Sequence, residues 1–271
     1  MHLTPRDVVE RLRAAGCVFA EDEAALLLAE HDDAAALDEA VRRRCAGEPL
    51  EVVLGWVAFG GLRIVVSSGV FVPRARTALV ATTALALLEG VVDPVVVDLC
   101  CGTAAVGAVV AAARPDATVH ACDVDPTAVA CARRNLPPDR VHEGDLFDAL
   151  PRRLRGRLDV VAANAPYVPR AAIATMPPEA REHEPAVALD GGADGLDVHR
   201  RIAEQVASWL APGDAVVVET SSSQSAATAD LLAVRGLTVE LRRDPSIDAT
   251  VVVGRRPGPD RASTSGRAPV G

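Results

Sequence analysis

Two short stretches carry residue types that could do chemistry together. The first is Asp98-Leu99-Cys100-Cys101-Gly102-Thr103-Ala104, a run ending in small residues behind the apolar Val95-Val96-Val97. Small turn residues let the backbone approach a ligand closely, and the helix expected next offers free amide donors at its N-terminus. Asp123 closes the following apolar run, about twenty residues on, where an acid suits hydrogen bonds to ribose hydroxyls. The pair points to an adenosine-type cofactor. A dinucleotide is disfavoured, because Cys100 and Ala104 stand where the G-x-G-x-x-G pattern needs glycines.

The second stretch is Asn164-Ala165-Pro166-Tyr167, which follows Val160-Val161-Ala162-Ala163 directly. The Asn164 side-chain carbonyl can accept from a substrate N–H. Pro166 fixes the loop and biases Ala165 towards an extended form, which aims the Ala165 carbonyl at the same nitrogen. Two acceptors would orient an NH2 group with its lone-pair face towards an incoming methyl. Tyr167, the only tyrosine, can stack on a planar substrate. The competing reading is a turn that closes a strand, with Tyr167 as a core ring. Glu219 ends another strand and is either buried or near the site. His183 and His199 are not needed as bases, since an amide nitrogen loses its proton after the transfer.

The elements that must hold these stretches follow from periodicity. Residues 4–47 read as helices: Thr4-Pro5 is a start signal, Asp22 a cap for a second helix, and residues 33–44 a third. Residues 52–54 and 62–66 are β-rich and flank Gly60-Gly61, which suggests a hairpin. From residue 91 strands and helices alternate. Strands are expected at 95–99, 118–123, 140–142, 158–163 and 215–220, with helices at 103–113, 126–135, 197–210 and 223–235. The last two strands, 237–242 and 249–253, are too close for a helical crossover and should be antiparallel. The predicted fold is a Rossmann-like, doubly wound α/β sheet ending in an antiparallel hairpin, preceded by a small N-terminal helical domain. The divisions are 1–48 helical, 49–75 hairpin linker, 76–254 α/β domain and 255–271 disordered tail.

Composition narrows the function classes. The chain has 271 residues, a net charge of −9 and no lysine. The first 68 residues carry seven Arg against twelve Asp and Glu, which speaks against docking on RNA or DNA. The cluster Arg152-Arg153-Leu154-Arg155-Gly156-Arg157 reads as a solvated loop. Six cysteines form no C-x-x-C pair, so reduced thiols and no metal are expected. No signal peptide and no membrane span are evident, which suggests a cytoplasmic protein.

The ordered set Asp98…Gly102, Asp123, Gly144-Asp145-Leu146-Phe147 and Asn164-Ala165-Pro166-Tyr167 resembles class I methyltransferases that modify amide or exocyclic amino nitrogens. More specifically it resembles the HemK/PrmC family, protein-(glutamine-N5) methyltransferases acting on peptide-chain release factors. Phe71-Val72-Pro73-Arg74 resembles that family's F-x-P-R segment. Residues 184–196, from Glu184-Pro185 to Asp194-Gly195-Leu196, resemble its long E-P-x-x-A-L-x-G-G-x-D-G-L block. The resemblance spans about residues 1–254. Three departures stand out: Ala165 replaces the first proline of Asn-Pro-Pro-Tyr, Cys100 and Ala104 alter the glycine-rich turn, and Ala75-Arg76-Thr77-Ala78 replaces Pro-x-Thr-Glu.

The resemblance implies S-adenosylmethionine as cofactor, held by Asp98, Cys100, Gly102, Asp123, Asp145, Leu146 and Asn164. It implies an acceptor site of Asn164, Ala165, Pro166 and Tyr167, with Arg74 and Glu184 shaping the substrate entrance. The expected activity is N5-methylation of a glutamine in a release factor, by a monomer that contacts neither membrane nor nucleic acid directly. The alternatives are an N-methyltransferase of nucleic-acid amines or of a small amine, and a cofactor-binding protein that has lost catalysis.

Overall fold

The computed structural model describes residues 3–177, 181 and 183–258. Its first helix, α1 (Pro5–Ala14), opens with a closed capping box: Thr4 accepts the Asp7 N–H and Asp7 accepts the Thr4 N–H. α2 (Ala20–Glu30) starts after Phe19, so Asp22 is not its cap. Asp22 lies in the first turn instead, where a carboxylate complements the helix dipole. α3 (Ala34–Cys45) is capped by Asp33. A fourth helix, α4 (Leu50–Leu54), replaces the strand expected at 52–54. Val53 is buried with Val8, Leu12, Leu27 and Val41, so tertiary packing overrides the β preference of Val-Val. Gly55, at φ +79°, then ends the turn. The helical front therefore runs to Leu54 and not to 48.

The hairpin follows as β1 (Trp56–Phe59) and β2 (Leu62–Val65), joined by Gly60-Gly61 with both φ positive. Its buried residues Phe59 and Ile64 pack in the same cluster as Val106 and Val109 of the α/β domain. α5 (Ala78–Leu87) comes next, a helix the sequence pattern did not single out.

The α/β unit contains β3 (Val95–Leu99), α6 (Ala105–Ala113), β4 (Thr118–Asp123), α7 (Pro126–Ala132), β5 (Val141–Glu143), β6 (Leu158–Ala163), β7 (Leu210–Glu219), β8 (Thr238–Asp244) and β9 (Ala249–Arg255). The strand order is β5-β4-β3-β6-β7-β9-β8. The first five are parallel neighbours, and β9 runs antiparallel between β7 and β8. The short link Pro245–Ile247 allows nothing else. All five residues of β3 are buried, as befits a strand covered on both faces. One face packs α5, α6 and α7 against Val96, Val160 and Val217. The other packs the helices Asp197–Trp209 and Ser225–Ala233 against Val97, Val161 and Val218.

β9 extends through Arg255, and Arg256 N–H donates to the Asp214 carbonyl at 2.7 Å. Residues 255 and 256 are thus ordered where a tail was expected, and the rest of that expectation, residues 259–271, lies outside the described residues. For function the decisive feature is the centre of the sheet. β3 pairs with β4 on one side and β6 on the other, with Leu99 opposite both Cys122 and Ala163. The chain order reverses there, and a crevice opens beyond the carboxyl ends of the strands.

Candidate active site

A cavity of about 530 Å³ lies in that crevice. Asp98, Cys100, Gly102, Asp123, Asp145 and Leu146 line one half of it. Asn164, Ala165, Pro166, Tyr167, Arg74 and Glu184 line the other. The cofactor, acceptor-loop and entrance residues expected from the sequence therefore line one cavity, whereas Glu219, His183 and His199 do not, and the contacts of the lining residues differ in kind.

In the first half, the Gly102 N–H donates to Asp123 Oδ2 at 2.9 Å, and the Asp125 N–H donates to Asp123 Oδ1 at 3.0 Å. This holds the carboxylate at the end of β4, with burial raising its pKa. Asp98 is 3% exposed and accepts the Gly107 N–H at 2.8 Å, so its carboxylate also braces α6. Burial pushes its pKa up to about 7. Cys100 and Ala104 both sit in the left-handed region, at φ +53° and +59°. The backbone keeps the shape that glycines would give it, with two side chains in place of none. Asp145 at the rim pairs with Arg201. Thr103 lines the cavity, and its buried hydroxyl has no hydrogen-bond partner among the described residues.

These residues fit S-adenosylmethionine. Asp123 brings a half-buried carboxylate and Leu146 an apolar surface to the cavity, the kinds of group that a ribose and an adenine would need. At Gly102 a Cβ would meet only the Phe71 carbonyl oxygen, at 4.0 Å, so its requirement is the φ of +55° and not crowding.

In the second half, Asn164 Nδ2 donates to Thr77 Oγ1 at 3.2 Å. The Tyr167 hydroxyl donates to Glu219 Oε1 at 3.2 Å, and Arg76 Nε reaches the same oxygen at 3.2 Å. Burial raises the Glu219 pKa. Burial and the neighbouring Glu219 push that of Tyr167 up to about 12. Burial opposes the Arg76 charge, but Tyr167 and Glu219 beside it raise its pKa overall. Arg76, Thr77 and Glu219 are thus joined by hydrogen bonds to one another or to Asn164 and Tyr167. Arg76 and Thr77 directly follow the F-x-P-R segment, and Glu219 closes β7 at the level of Asn164; those positions were the available signals.

Residues 184–196 wrap this loop from outside. The Val168 N–H donates to the Leu189 carbonyl at 3.0 Å and the Gly191 N–H to the Val168 carbonyl at 2.9 Å. Gln224 Nε2 donates to the carbonyls of Tyr167 and Asp194, at 3.0 and 3.1 Å. Arg74 pairs with the buried Glu184. His199 is 2% exposed, shares a hydrogen bond with Thr228 Oγ1 at 3.1 Å, and is pushed down to about 4 by burial. It stays neutral near pH 7, and neither it nor His183 lines the cavity.

Residues 61–178 match the methyltransferase small domain family. A release factor glutamine methyltransferase of Streptomyces coelicolor is 40% identical over 190 residues, which cover 69% of this chain and 67% of the relative. One from Mycolicibacterium smegmatis is 37% identical over 240 residues, 84% of this chain and 81% of the relative. The chain belongs to the HemK/PrmC family. As a member of that family it is an S-adenosylmethionine-dependent methyltransferase with the class I fold. The HemK/PrmC likeness is not confined to glutamine enzymes. A 4-amino-L-phenylalanine/4-methylamino-L-phenylalanine methyltransferase of Streptomyces pristinaespiralis is 37% identical over 203 residues, 72% of this chain and 69% of the relative. No helix among the described residues is long and apolar enough to cross a membrane.

Proposed function

We propose that this chain transfers the methyl group of S-adenosylmethionine to the side-chain amide nitrogen (N5) of a protein glutamine, in a peptide-chain release factor. The observation that carries this reading is the orientation of Asn164. Its Nδ2 is engaged by Thr77, which leaves Oδ1 as the free acceptor at the end of β6. An acceptor there selects an N–H donor such as a primary amide.

The cofactor supplies an activated methyl group; the chain's own residues position the acceptor nitrogen. Asn164 Oδ1 and the Ala165 carbonyl take the two N–H groups, and the Tyr167 ring covers the flat amide. Both acceptors stabilise the positive charge that grows on nitrogen as the new bond forms. Much of the rate comes from this alignment. No general base is required, since the methylated amide nitrogen is strongly acidic and loses its proton to water. Neutral, buried His199 is consistent with that. The acidic helical front, residues 1–48 with the added α4, is the segment we assign to recognising the protein substrate. The chain would act as a monomer in the cytoplasm, where such a substrate is found.

Incubation of a release factor with the enzyme and S-adenosylmethionine, followed by mass spectrometry, tests this. One methyl on a glutamine, absent with Asn164→Ala, supports it. No transfer despite intact cofactor binding overturns it. The Streptomyces pristinaespiralis relative favours a second reading, methylation of an aryl amine on a free amino acid. 4-Amino-L-phenylalanine offered in the same assay distinguishes the two.

A further inference from the structure

Two ion pairs in the Asn164 half of the cavity are built the same way round. Arg76 Nε reaches Glu219 Oε1 at 3.2 Å, and Arg74 pairs with Glu184. In both pairs the carboxylate is the hidden partner, its side chain 1% exposed in Glu219 and 2% in Glu184. The guanidinium side chains are 44% and 35% exposed, and both line the cavity. Each pair is neutral as a whole. A ligand in the cavity nevertheless meets the cationic end first, and Coulomb attraction favours the nearer charge. Arg76 is also tied to the residues proposed to hold the acceptor. The Glu219 oxygen that takes its Nε takes the Tyr167 hydroxyl as well, at 3.2 Å. Its chain neighbour Thr77 accepts Asn164 Nδ2, also at 3.2 Å.

We propose that Arg76 forms a carboxylate-binding subsite beside the Asn164–Tyr167 loop, and that the methyl acceptor carries a carboxylate near its reacting nitrogen. The Glu219 contact is made through Nε, which has a single N–H. The two terminal nitrogens carry four more donors, in the planar fork that meets a carboxylate with two parallel hydrogen bonds. Glu219 holds that fork in place, so less freedom is lost when a ligand binds it. Arg74, two residues back, adds a second cationic end at the same cavity. The acids Asp123 and Asp125 line the cofactor half, where they disfavour the same group. Charge therefore sets which way round the acceptor enters. Two sources offer the carboxylate: the α-carboxylate of a free amino acid, or an acidic side chain next to a methylated glutamine in a protein. The subsite rests on the proposed seating of the acceptor nitrogen at Asn164.

The test measures binding of matched probes to the full chain by calorimetry, with S-adenosylhomocysteine bound so that no transfer occurs. The first set is 4-amino-L-phenylalanine against its decarboxylated amine. The second is the capped tripeptides Glu-Gln-Ala and Ala-Gln-Glu against Ala-Gln-Ala. Arg76→Gln removes the fork, whereas Arg76→Lys keeps a cation beside Glu219 and loses only the paired contact. In the parent, a carboxylate-bearing probe should bind about 10-fold more tightly than its neutral match. That is the lower end for a charged hydrogen bond, because the guanidinium is half-exposed. The advantage should vanish in Arg76→Gln, shrink in Arg76→Lys and weaken with added salt. Each ratio is taken within one protein, so a general disturbance of the loop cancels from it. An advantage in the amino-acid set assigns the α-carboxylate and one in the tripeptides the acidic side chain; either supports the subsite. Equal binding within both sets, no binding of any probe, or an advantage that survives in Arg76→Gln overturns it. A drop in S-adenosylhomocysteine affinity in Arg76→Gln with the ratios unmoved gives the guanidinium to the cofactor's own carboxylate and overturns it too. If the parent methylates no glutamine, the proposed substrate fails, while these binding ratios still decide the subsite.

Discussion

Gly195 packs so closely beneath the Tyr167 carbonyl that a side chain at this position would overlap both that oxygen and Gln224 Nε2. Its φ of +79° is also in the region that L residues rarely adopt. Gly195→Ala should therefore push the Asn164–Tyr167 loop out of line without touching the cofactor half of the cavity. The expected outcome is a loss of kcat/KM of about 10²-fold, the scale of a 1 Å misplacement. Calorimetric S-adenosylmethionine affinity should be unaltered. Equal loss of both would show that the two halves of the cavity are not separable.

Cys100 and Ala104 hold left-handed backbone with a Cβ attached, which costs roughly 1–2 kcal/mol per residue relative to glycine. Cys100 is only partly buried and lines the cavity, so little packing is lost on truncation. Cys100→Gly should raise stability by about 1 kcal/mol in urea denaturation. Ala104 is fully buried and loses a packed methyl, worth about 0.8 kcal/mol, so Ala104→Gly should be nearly neutral. Ala104→Val, β-branched at φ +59° with no space, should cost several kcal/mol, about 3 or more, by the overpacking and strain scales.

Asp98 gives a pH signature. Burial raises its pKa from the ordinary 3.8 to about 7 in the folded chain. Between those values the folded state holds a proton that the unfolded chain releases, so its contribution to stability falls as pH rises from about 4 to 7. Asp98→Asn keeps an oxygen for the Gly107 N–H and removes the titration. The Tm of Asp98→Asn relative to the parent should climb between pH 5 and pH 7.5. A pH-independent gap would place the Asp98 charge elsewhere.

Tyr167→Phe removes the hydroxyl that Glu219 accepts but keeps the ring. A several-fold drop in kcat, about the effect of one lost neutral hydrogen bond, is expected with KM little changed. The parent rate should show no tyrosine titration up to pH 9, since burial holds the Tyr167 pKa near about 12.

How much of this was legible in the sequence depends on the range of the interaction. β3, β4 and β6 are readable because each is a mostly apolar run that ends at or beside an acid or asparagine, and the loops lining the cavity sit at those ends. α5 was not, because Ala78–Leu87 is apolar nearly all round and shows no polar stripe to give a helical period. α4 was misread as strand because Val52-Val53-Leu54 favours β locally, and only burial of Val53 against the front helices reverses that. The Asn164–Tyr167 loop is legible as the end of β6, but the residues that support it are not. Thr77 lies 87 residues from Asn164, and Arg76 lies 143 from Glu219; no local pattern joins them. The sequence suggests Asp123 as a ribose ligand; what the structure shows is its carboxylate accepting the Gly102 N–H and so fixing that turn.

The pairing of Leu99 with Ala163 carries a consequence for how such an enzyme can diversify. Cys100 and Asn164 each follow directly from that pair, so the spacing between the β3 turn and the Asn164 loop, proposed here as donor and acceptor sides, is written into strand register. Loops and the helical front can change without disturbing it. A lineage can therefore exchange the molecule it recognises while inheriting the transfer distance unaltered. Relatives named for a protein glutamine and for an aromatic amine stand at comparable identity to this chain, as expected of a scaffold whose stroke is fixed and whose grip is replaceable.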